Sequence, residues 1–155
     1  MAETRGTTEL RRAGIDHRLM AYAYGGAGST AERAAKALGV EPERMFKSLV
    51  AVAGEEPVFA LVPASGELSL KKLAGTAGAK QARMAEQRDA ERATGYQVGG
   101  ISPLGSRRRL RVFIDASALE HQRICLNAGG RGVIVELETA AIVALVEAVV
   151  ADLQA

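Results

Sequence analysis

Residues 93–115 read ATGYQVGGISPLGSRRRLRVFID, and this stretch is the most distinctive in the chain. It joins a glycine-rich loop to three consecutive arginines and ends in an apolar segment, Arg111–Asp115, that is typical of a β-strand. Its glycines, at positions 95, 99, 100 and 105, let backbone N–H groups face a ligand without a Cβ in the way. Such loops cradle oxyanions or phosphates, so the segment predicts an anion-binding loop that leads into a strand.

The loop does not match the established glycine or serine motifs. No Gly-Lys-Ser/Thr sequence ends it, which excludes a Walker loop, and Gly95, Gly99 and Gly100 lack the spacing of a dinucleotide-binding fingerprint. Pro103 follows Ser102, where a nucleophile elbow needs an N–H donor for its oxyanion hole. We therefore expect no Ser-His-Asp triad.

Two apolar runs, Met45–Ala53 and Pro57–Ala64, flank this loop on its N-terminal side and are separated by turn residues. They predict a β-hairpin within a sheet that is covered on both faces. Lys47 carries the only full charge in the first run. Because lysine is almost never fully buried unless it is paired, Lys47 either points into a polar cleft or lies at the exposed start of the strand.

The remaining pattern alternates helices and strands. Residues 8–13 are predicted to be the end of a short helix, and further helices are predicted over 30–38, 69–78, 83–92 and 139–153, with Ser69 and Thr139 as caps. Strands are predicted over 18–24, 111–115, 124–127 and 132–137, with a helical turn at 116–120. The apolar run 140–151 is too short for a membrane helix, and the N-terminus lacks the features of a secretory signal. We expect a cytoplasmic α+β protein without a membrane segment.

Length and composition favour a single domain over residues 1–155, since a chain of this size can bury a sufficient core without disulfides or structural metals. Cys125 is the only cysteine, which excludes an intramolecular disulfide and a cysteine-rich zinc site. His17 and His121 are the only histidines, and no metal-ligand spacing is present. We predict no metal and no cofactor.

The net charge of +2 hides an uneven distribution. Residues 71–131 carry most of the positive charge, whereas residues 132–155 contain four acidic and no basic side chains. Arg107, Arg108 and Arg109 are either a footprint for nucleic acid or a solvated loop. Two further cations, Lys71 and Lys72, oppose the dipole at the start of the predicted helix 69–78, and an anionic group could compensate them.

Five blocks of the sequence carry a family resemblance: MFKSLVAV (45–52), LSLKKLA followed by GAK (68–80), ATGYQVGGISPLGSRRRL (93–110), VFIDAS (112–117) and GGRGVIVEL (129–137). In this order they resemble the YbaK/EbsC family of aminoacyl-tRNA deacylases over residues 10–155, and especially its Cys-tRNA(Pro) deacylases. The resemblance implies the YbaK/prolyl-tRNA synthetase associated domain fold, a mixed, curved, barrel-like sheet with flanking helices.

The resemblance also implies roles for individual residues. Lys47 matches the lysine on which the family's activity depends, and Gly99 and Gly100 match a glycine pair whose N–H groups can stabilise charge on the ester oxygen. Contacts with the aminoacyl group are expected from Tyr22, Thr94 and Ser102, and contacts with tRNA from Arg107, Arg108, Arg109, Lys71 and Lys72.

In the cysteine-specific branch, the resemblance implies that the thiol of the misattached cysteine attacks its own ester, so that no protein nucleophile is required. The expected partners are tRNA(Pro) and prolyl-tRNA synthetase. Tyr24 and Gly25 stand where close relatives have a His-Asp pair, and Ile134 stands where cysteine-specific relatives have an aspartate. Removal of another small residue such as alanine, and a non-catalytic binding module, therefore remain alternatives.

Overall fold

The computed structural model describes residues 3–26 and 29–155. The strands are β1 (His17–Ala21), β2 (Phe46–Ala53), β3 (Glu56–Pro63), β4 (Ala82–Met84), β5 (Arg111–Asp115), β6 (Arg123–Asn127), β7 (Val133–Glu138) and β8 (Val149–Ala151). The helices are α1 (Arg5–Arg12), α2 (Thr30–Leu38), α3 (Leu70–Ala77), α4 (Gln87–Thr94) and α5 (Thr139–Leu145), and a 3-10 helix covers Ala116–Glu120.

The strands form two sheets, one of order β4-β2-β3-β5-β8 and one of order β1-β7-β6. The larger sheet is mixed, because β3 is antiparallel to β2 but parallel to β5. In the part of the chain that the structure describes, an isolated bridge between Met45 and Cys125 joins the two sheets. The predicted mixed sheet with flanking helices is confirmed. The strands do not close into a barrel, because β4 and β8 remain edges of the larger sheet within the described part of the chain.

The predicted hairpin is formed by β2 and β3, which pair along their whole lengths. Gly54 lies in the turn with a φ of 65°, a conformation that glycine adopts without strain. The neighbouring strand β4 has only three residues and pairs with Ala51–Ala53. The Ala85 N–H, just after β4, still donates to the Val50 carbonyl at 3.1 Å. On the side opposite β3, residues 46–49 have no neighbouring strand among the described residues, and this open strand edge forms one wall of a cavity.

Apolar side chains cover both faces of the larger sheet, as the runs in β2 and β3 predict. Phe46 and Phe59 belong to a buried cluster that includes Ala93 of α4. Phe113 belongs to a second cluster, with Leu73 of α3. Full burial of each large side chain contributes about 1.5–3 kcal/mol relative to leaving it exposed. The sheet is therefore held from both sides, and the hairpin is a rigid base for the cavity.

The C-terminal segment does not form the helix predicted over 139–153. Helix α5 ends at Leu145, Glu147 has a φ of 52°, and Val149–Ala151 forms β8 parallel to β5. The apolar spacing of this stretch fits a helix, but β-branched valines pack well in a strand once a neighbouring strand is available. Tertiary pairing with β5 therefore overrides the local helical pattern.

Two predicted helix caps have different outcomes. The prediction at Ser69 is confirmed, because its hydroxyl accepts the N–H of Lys72 at 3.1 Å. The prediction at Thr139 is wrong, since Glu138 is the N-cap residue and the Thr139 hydroxyl donates to the carbonyl of His121 at 2.7 Å. Thr139 thus connects α5 to the preceding 3-10 helix instead of capping its own helix.

The predicted boundaries of two other helices also change. The segment 83–92 is divided between β4 and α4, with the turn of chain between them close to the cavity. The first helix, whose end is predicted over 8–13, runs from Arg5 to Arg12 and begins at a capping box formed by Thr4 and Thr7. None of the described helices is long and apolar enough to cross a membrane.

Asp115 fastens the C-terminal strand to the end of β5. Its buried carboxylate accepts hydrogen bonds from the Leu153 N–H at 2.8 Å, the Gln154 side chain at 2.9 Å and the Ser117 N–H at 3.1 Å. Burial alone would raise the pKa of Asp115, but these hydrogen bonds outweigh it and hold the pKa below its ordinary value. The ionised carboxylate therefore stabilises the folded state.

We predict that Asp115→Asn lowers the free energy of unfolding at neutral pH by about 1–3 kcal/mol, because donors that faced a carboxylate lose an acceptor. Since the folded-state pKa lies below the unfolded value of about 3.9, the contribution is present above about pH 4 and is lost as the pH falls through the folded-state pKa. Urea unfolding of both proteins between pH 7 and pH 2 measures it.

Asp152→Asn is the matched control, because Asp152 is 74% exposed and pairs with a surface lysine, Lys72. This variant should follow the unmodified protein throughout the pH range. Equal loss of stability in the two variants, or an acid limb unchanged by Asp115→Asn, would contradict the role assigned to Asp115.

Candidate active site

A cavity of about 370 Å³ lies beside the open edge of β2. Its other walls come from the start of α2, the connection between β4 and α4, the glycine loop at Val98, Gly99 and Ile101, and two residues of the smaller sheet, Asn127 and Ile134. This volume falls within the range of small-molecule sites, roughly 300–1,000 Å³. Of the predicted site residues, the structure brings Lys47, Gly99 and Tyr22 together on its lining.

Tyr22 is positioned directly after β1, which ends at Ala21 and not at the predicted Tyr24. Its N–H donates to the Gly132 carbonyl at 3.0 Å, which fixes the backbone beside the cavity. Its hydroxyl is buried and has no hydrogen-bond partner among the described residues. Burial is the largest influence on this group and raises the pKa of Tyr22 against the opposing charge of Arg33, so the hydroxyl stays protonated and can donate.

Ser48, which follows Lys47 in β2, also lines the cavity. Its hydroxyl is buried and, within residues 3–26 and 29–155, has no hydrogen-bond partner. An unsatisfied buried hydroxyl costs about 1–3 kcal/mol, so the two hydroxyls on this cavity are groups with which a bound ligand can form hydrogen bonds. Sequence reasoning did not single out Ser48, although a lone hydroxyl in an apolar strand beside Lys47 was the available signal.

Lys47 lies on the cavity lining with a side chain that is only 14% exposed. Its Nζ is 3.5 Å from the Glu67 carboxylate, which is itself 81% exposed. An ion pair with so exposed a partner is worth about 0–1 kcal/mol, since water screens it. Of the two interpretations of Lys47, the polar cleft is the one that the structure supports, and the weak pairing leaves the ammonium available to a substrate.

The glycine loop is held in place by the segment 127–130. The Gly130 N–H donates to the Gly100 carbonyl at 2.9 Å, and the Asn127 side-chain amide donates to the Gly99 carbonyl at 3.2 Å. Gly99 has a φ of 97°, and a Cβ there would overlap the ring of Tyr24. A Cβ on Gly100 would lie 2.6 Å from the Gly130 carbonyl carbon. Both positions therefore require glycine.

The two glycines differ in what they can offer a substrate. The Gly100 N–H already donates to the Gln97 carbonyl at 2.9 Å, and Gly100 is not on the cavity lining. The Gly99 N–H has no backbone acceptor in the described part of the chain, and Gly99 faces the cavity. Of the two N–H groups predicted as hydrogen-bond donors to the substrate, the structure leaves that of Gly99 free beside the cavity, while the Gly100 N–H supports the loop.

Thr94 and Ser102 do not join the cavity lining, although we expected both to contact the substrate. Each is fully buried. The Thr94 hydroxyl donates to the Ala90 carbonyl at 2.8 Å, as serine and threonine hydroxyls often do within helices, and Ser102 accepts the Leu104 N–H at 3.1 Å. Their hydroxyls satisfy the backbone on either side of the glycine loop, so their role is to shape that loop.

The basic residues predicted to contact tRNA lie outside the cavity lining. Lys72 is compensated within the chain, since its Nζ binds the Asp152 carboxylate at 2.9 Å and the Gln154 carbonyl at 2.6 Å. Arg109 pairs with Glu147 at 3.1 Å in an exposed contact. The others, Lys71, Arg107 and Arg108, are exposed.

Cys125 does not provide a nucleophile. It is fully buried where the two sheets meet, as a small apolar side chain would be. Burial, the largest effect, raises the pKa of Cys125 to about 11, so the thiol stays protonated at neutral pH. Among the residues that the structure describes, no group of three His, Cys, Asp or Glu side chains could hold a metal ion.

The chain matches known proteins in sequence. The family model described as an aminoacyl-tRNA editing domain matches residues 26–145. An Enterococcus faecalis protein, EbsC, named as a candidate Cys-tRNA(Pro)/Cys-tRNA(Cys) deacylase, is 40% identical over 75% of this chain and 71% of its own length. A proline–tRNA ligase of Limosilactobacillus fermentum is 31% identical over 81% of this chain, which spans only 22% of that enzyme.

The fold matches solved structures over nearly its whole length. A crystal structure described as a candidate trans-editing enzyme for prolyl-tRNA synthetase superposes with a TM-score of 0.85 and 26% identity, covering 97% of this chain and 95% of the other. These findings confirm the predicted family and the predicted class of activity, deacylation in aminoacyl-tRNA editing. The chain belongs to the aminoacyl-tRNA editing domain family.

Proposed function

We propose that the protein removes cysteine from mischarged tRNA(Pro), acting in trans on the product of prolyl-tRNA synthetase. The observation that carries this proposal is the cavity on which Lys47 meets the unpartnered hydroxyls of Tyr22 and Ser48. Its small volume suits an aminoacyl group. Lys47, the only charged side chain among the described residues of the lining, suits an ester that lies next to the phosphates of a nucleic acid. The name of the EbsC relative supports the choice of cysteine.

The proposed reaction draws its nucleophile from the substrate. The sulfur of the esterified cysteine attacks its own carbonyl carbon, the bond to the tRNA oxygen breaks, and the thiol proton ends on that oxygen. The products are a cysteine thiolactone and uncharged tRNA. Holding the sulfur close to the carbonyl carbon removes much of the activation barrier, because the two reacting groups belong to the same molecule.

The cavity residues would then act by charge and position. Lys47 and the free N–H of Gly99 are donors on the same cavity, where negative charge grows on the carbonyl oxygen. Tyr22 and Ser48 would hold the aminoacyl group by its polar atoms, which satisfies the two buried hydroxyls. Cys125, with its raised pKa and its burial between the sheets, has no part in this reaction.

Removal of alanine is a second candidate, favoured by one residue of the cavity. Ile134 is 3% exposed and presents an apolar wall. Apolar pockets separate residues that differ by one small group by only about 1–3 kcal/mol, so this wall can accept a methyl or a thiol. Deacylation rates on tRNA(Pro) charged with Cys, Ala or Ser rank the three amino acids as substrates. A protein that cleaves none of them would be a non-catalytic binding module.

We predict that Lys47→Ala lowers the single-turnover rate of Cys-tRNA(Pro) deacylation by about 100- to 1,000-fold, as expected when a donor to a developing oxyanion is removed. Its partner Glu67 is exposed, so the variant should fold, which its melting temperature would check. Lys80→Ala removes an equivalent charge from an exposed position and should leave the rate unchanged. A Lys47→Ala rate close to that of the unmodified protein would exclude the proposed role.

We predict that tRNA(Pro) charged with S-methylcysteine is not deacylated, because its sulfur cannot release a proton and act as the nucleophile. The Cys125→Ala variant should deacylate Cys-tRNA(Pro) at the normal rate, since the protein thiol is inert. Detection of the thiolactone by mass spectrometry is the direct measurement. Similar rates for the methylated and free cysteine would show that water, and not the substrate sulfur, attacks the ester.

We propose that Arg107, Arg108 and Arg109 bind the tRNA backbone, and we predict that their joint replacement by Gln weakens tRNA binding. Each lost phosphate contact should flatten the slope of log affinity against log salt by about 0.7–0.9. The measurement is a binding titration at several salt concentrations. Binding and slope equal to those of the unmodified protein would identify the run as a solvated loop.

A further inference from the structure

Tyr24 and Arg131 form an exposed stacked pair at the surface next to the cavity. The Arg131 guanidinium lies 4.8 Å from the centre of the Tyr24 ring, and its Nε donates to the Val98 carbonyl at 3.0 Å. Tyr24 is 40% exposed, and Arg131 is exposed as well. The arginine is therefore held at two points while the outer side of the pair stays open to solvent.

This pair is attached to the cavity wall. The Tyr24 ring packs against Gly99, at the position where a Cβ would overlap it. Val98 and Gly99 both line the cavity that holds Lys47. The stacked pair therefore borders the same loop that offers the free N–H of Gly99. A group bound in the cavity and a group resting on the pair can belong to one ligand.

The chain has two other arginine–aromatic pairs among its described residues, and neither offers an equivalent surface. Tyr96, beneath Arg5, is 9% exposed, and Arg111, above Phe113, is paired with Glu56 at 3.3 Å. Arg131 has no carboxylate within 4.0 Å in the part of the chain that the structure describes, so its charge is uncompensated there.

An exposed aromatic ring combined with an uncompensated guanidinium is the chemistry that binds an unpaired nucleotide. Bases stack on aromatic rings and on guanidinium groups, and the positive charge attracts the neighbouring phosphate. We propose that the Tyr24–Arg131 pair is a stacking platform for the terminal base of the acceptor end, while the aminoacyl group enters the cavity. This inference rests on the proposed function and assigns the nucleotide subsite of the same substrate.

The test compares two substrates, Cys-tRNA(Pro) and cysteine methyl ester, which has the same reacting group but no nucleotide. Tyr24→Leu and Arg131→Gln should each lower kcat/KM on the tRNA substrate, mainly through KM, by roughly 5- to 150-fold, the range for loss of one base stack. On the methyl ester both variants should match the unmodified protein. Tyr24→Phe keeps the ring and should restore tRNA activity, and Arg12→Gln is the charge-matched control on an exposed residue.

A second readout does not depend on deacylation. Uncharged tRNA(Pro) with 2-aminopurine as its terminal base should lose fluorescence on binding, because stacking quenches this base, and Tyr24→Leu should abolish the quenching. Equal kcat/KM for all variants on tRNA, an equal loss on both substrates, or binding without quenching would each overturn the platform. If the unmodified protein cleaves neither substrate, the deacylation proposal fails alone, and the fluorescence experiment still decides the platform.

Discussion

The contact between two glycine-containing backbone segments is the constraint on which the site depends. Gly100 and Gly130 approach so closely that a Cβ on Gly100 would lie 2.6 Å from the Gly130 carbonyl carbon, and a 2.9 Å hydrogen bond joins them. Asn127 adds two bonds by accepting from Gly129 and Gly130. The Gly130 N–H and the Asn127 side-chain amide satisfy the carbonyls of Gly100 and Gly99, whereas the Gly99 N–H has no backbone acceptor in the described part of the chain. This packing therefore leaves a free donor on Gly99, which lines the cavity.

The second constraint is the shortness of β4. A longer strand would pair with residues 46–49 and close the edge of β2, whereas β4 pairs with Ala51–Ala53 and is followed by a hydrogen bond from the Ala85 N–H to the Val50 carbonyl at 3.1 Å. Lys47 and Ser48 thus sit in a rigid hairpin that is fixed by apolar clusters on both faces, yet they border open space. Along this strand Phe46 and Val50–Ala53 are buried, whereas Lys47 and Ser48 between them present polar groups to the cavity.

Much of the fold and part of the site could be predicted from the sequence. The hairpin was predictable because two apolar runs flank a turn, and Lys47 and Gly99 because their blocks match a family. The strand β8 was not, since its valines fit a helical face equally well until β5 supplies a partner. Thr94 and Ser102 lie in the right block, but which way a hydroxyl turns is decided by the nearest unpaired backbone group.

The sequence also does not reveal the pairing of Tyr24 with Arg131, because these residues are far apart in the chain and meet only because β1 and β7 are adjacent.

The composition of the site bears on its chemistry. A site whose strongest features are one weakly paired lysine, one free N–H and two unpartnered hydroxyls can orient a substrate and stabilise charge, but none of the described residues that line its cavity carries a thiol or a carboxylate. In the proposed mechanism catalytic power comes from positioning, which is most effective when the nucleophile and the ester arrive in the same molecule. An apolar wall at Ile134, a rigid glycine loop and an external platform for the base are the parts that a positioning mechanism requires.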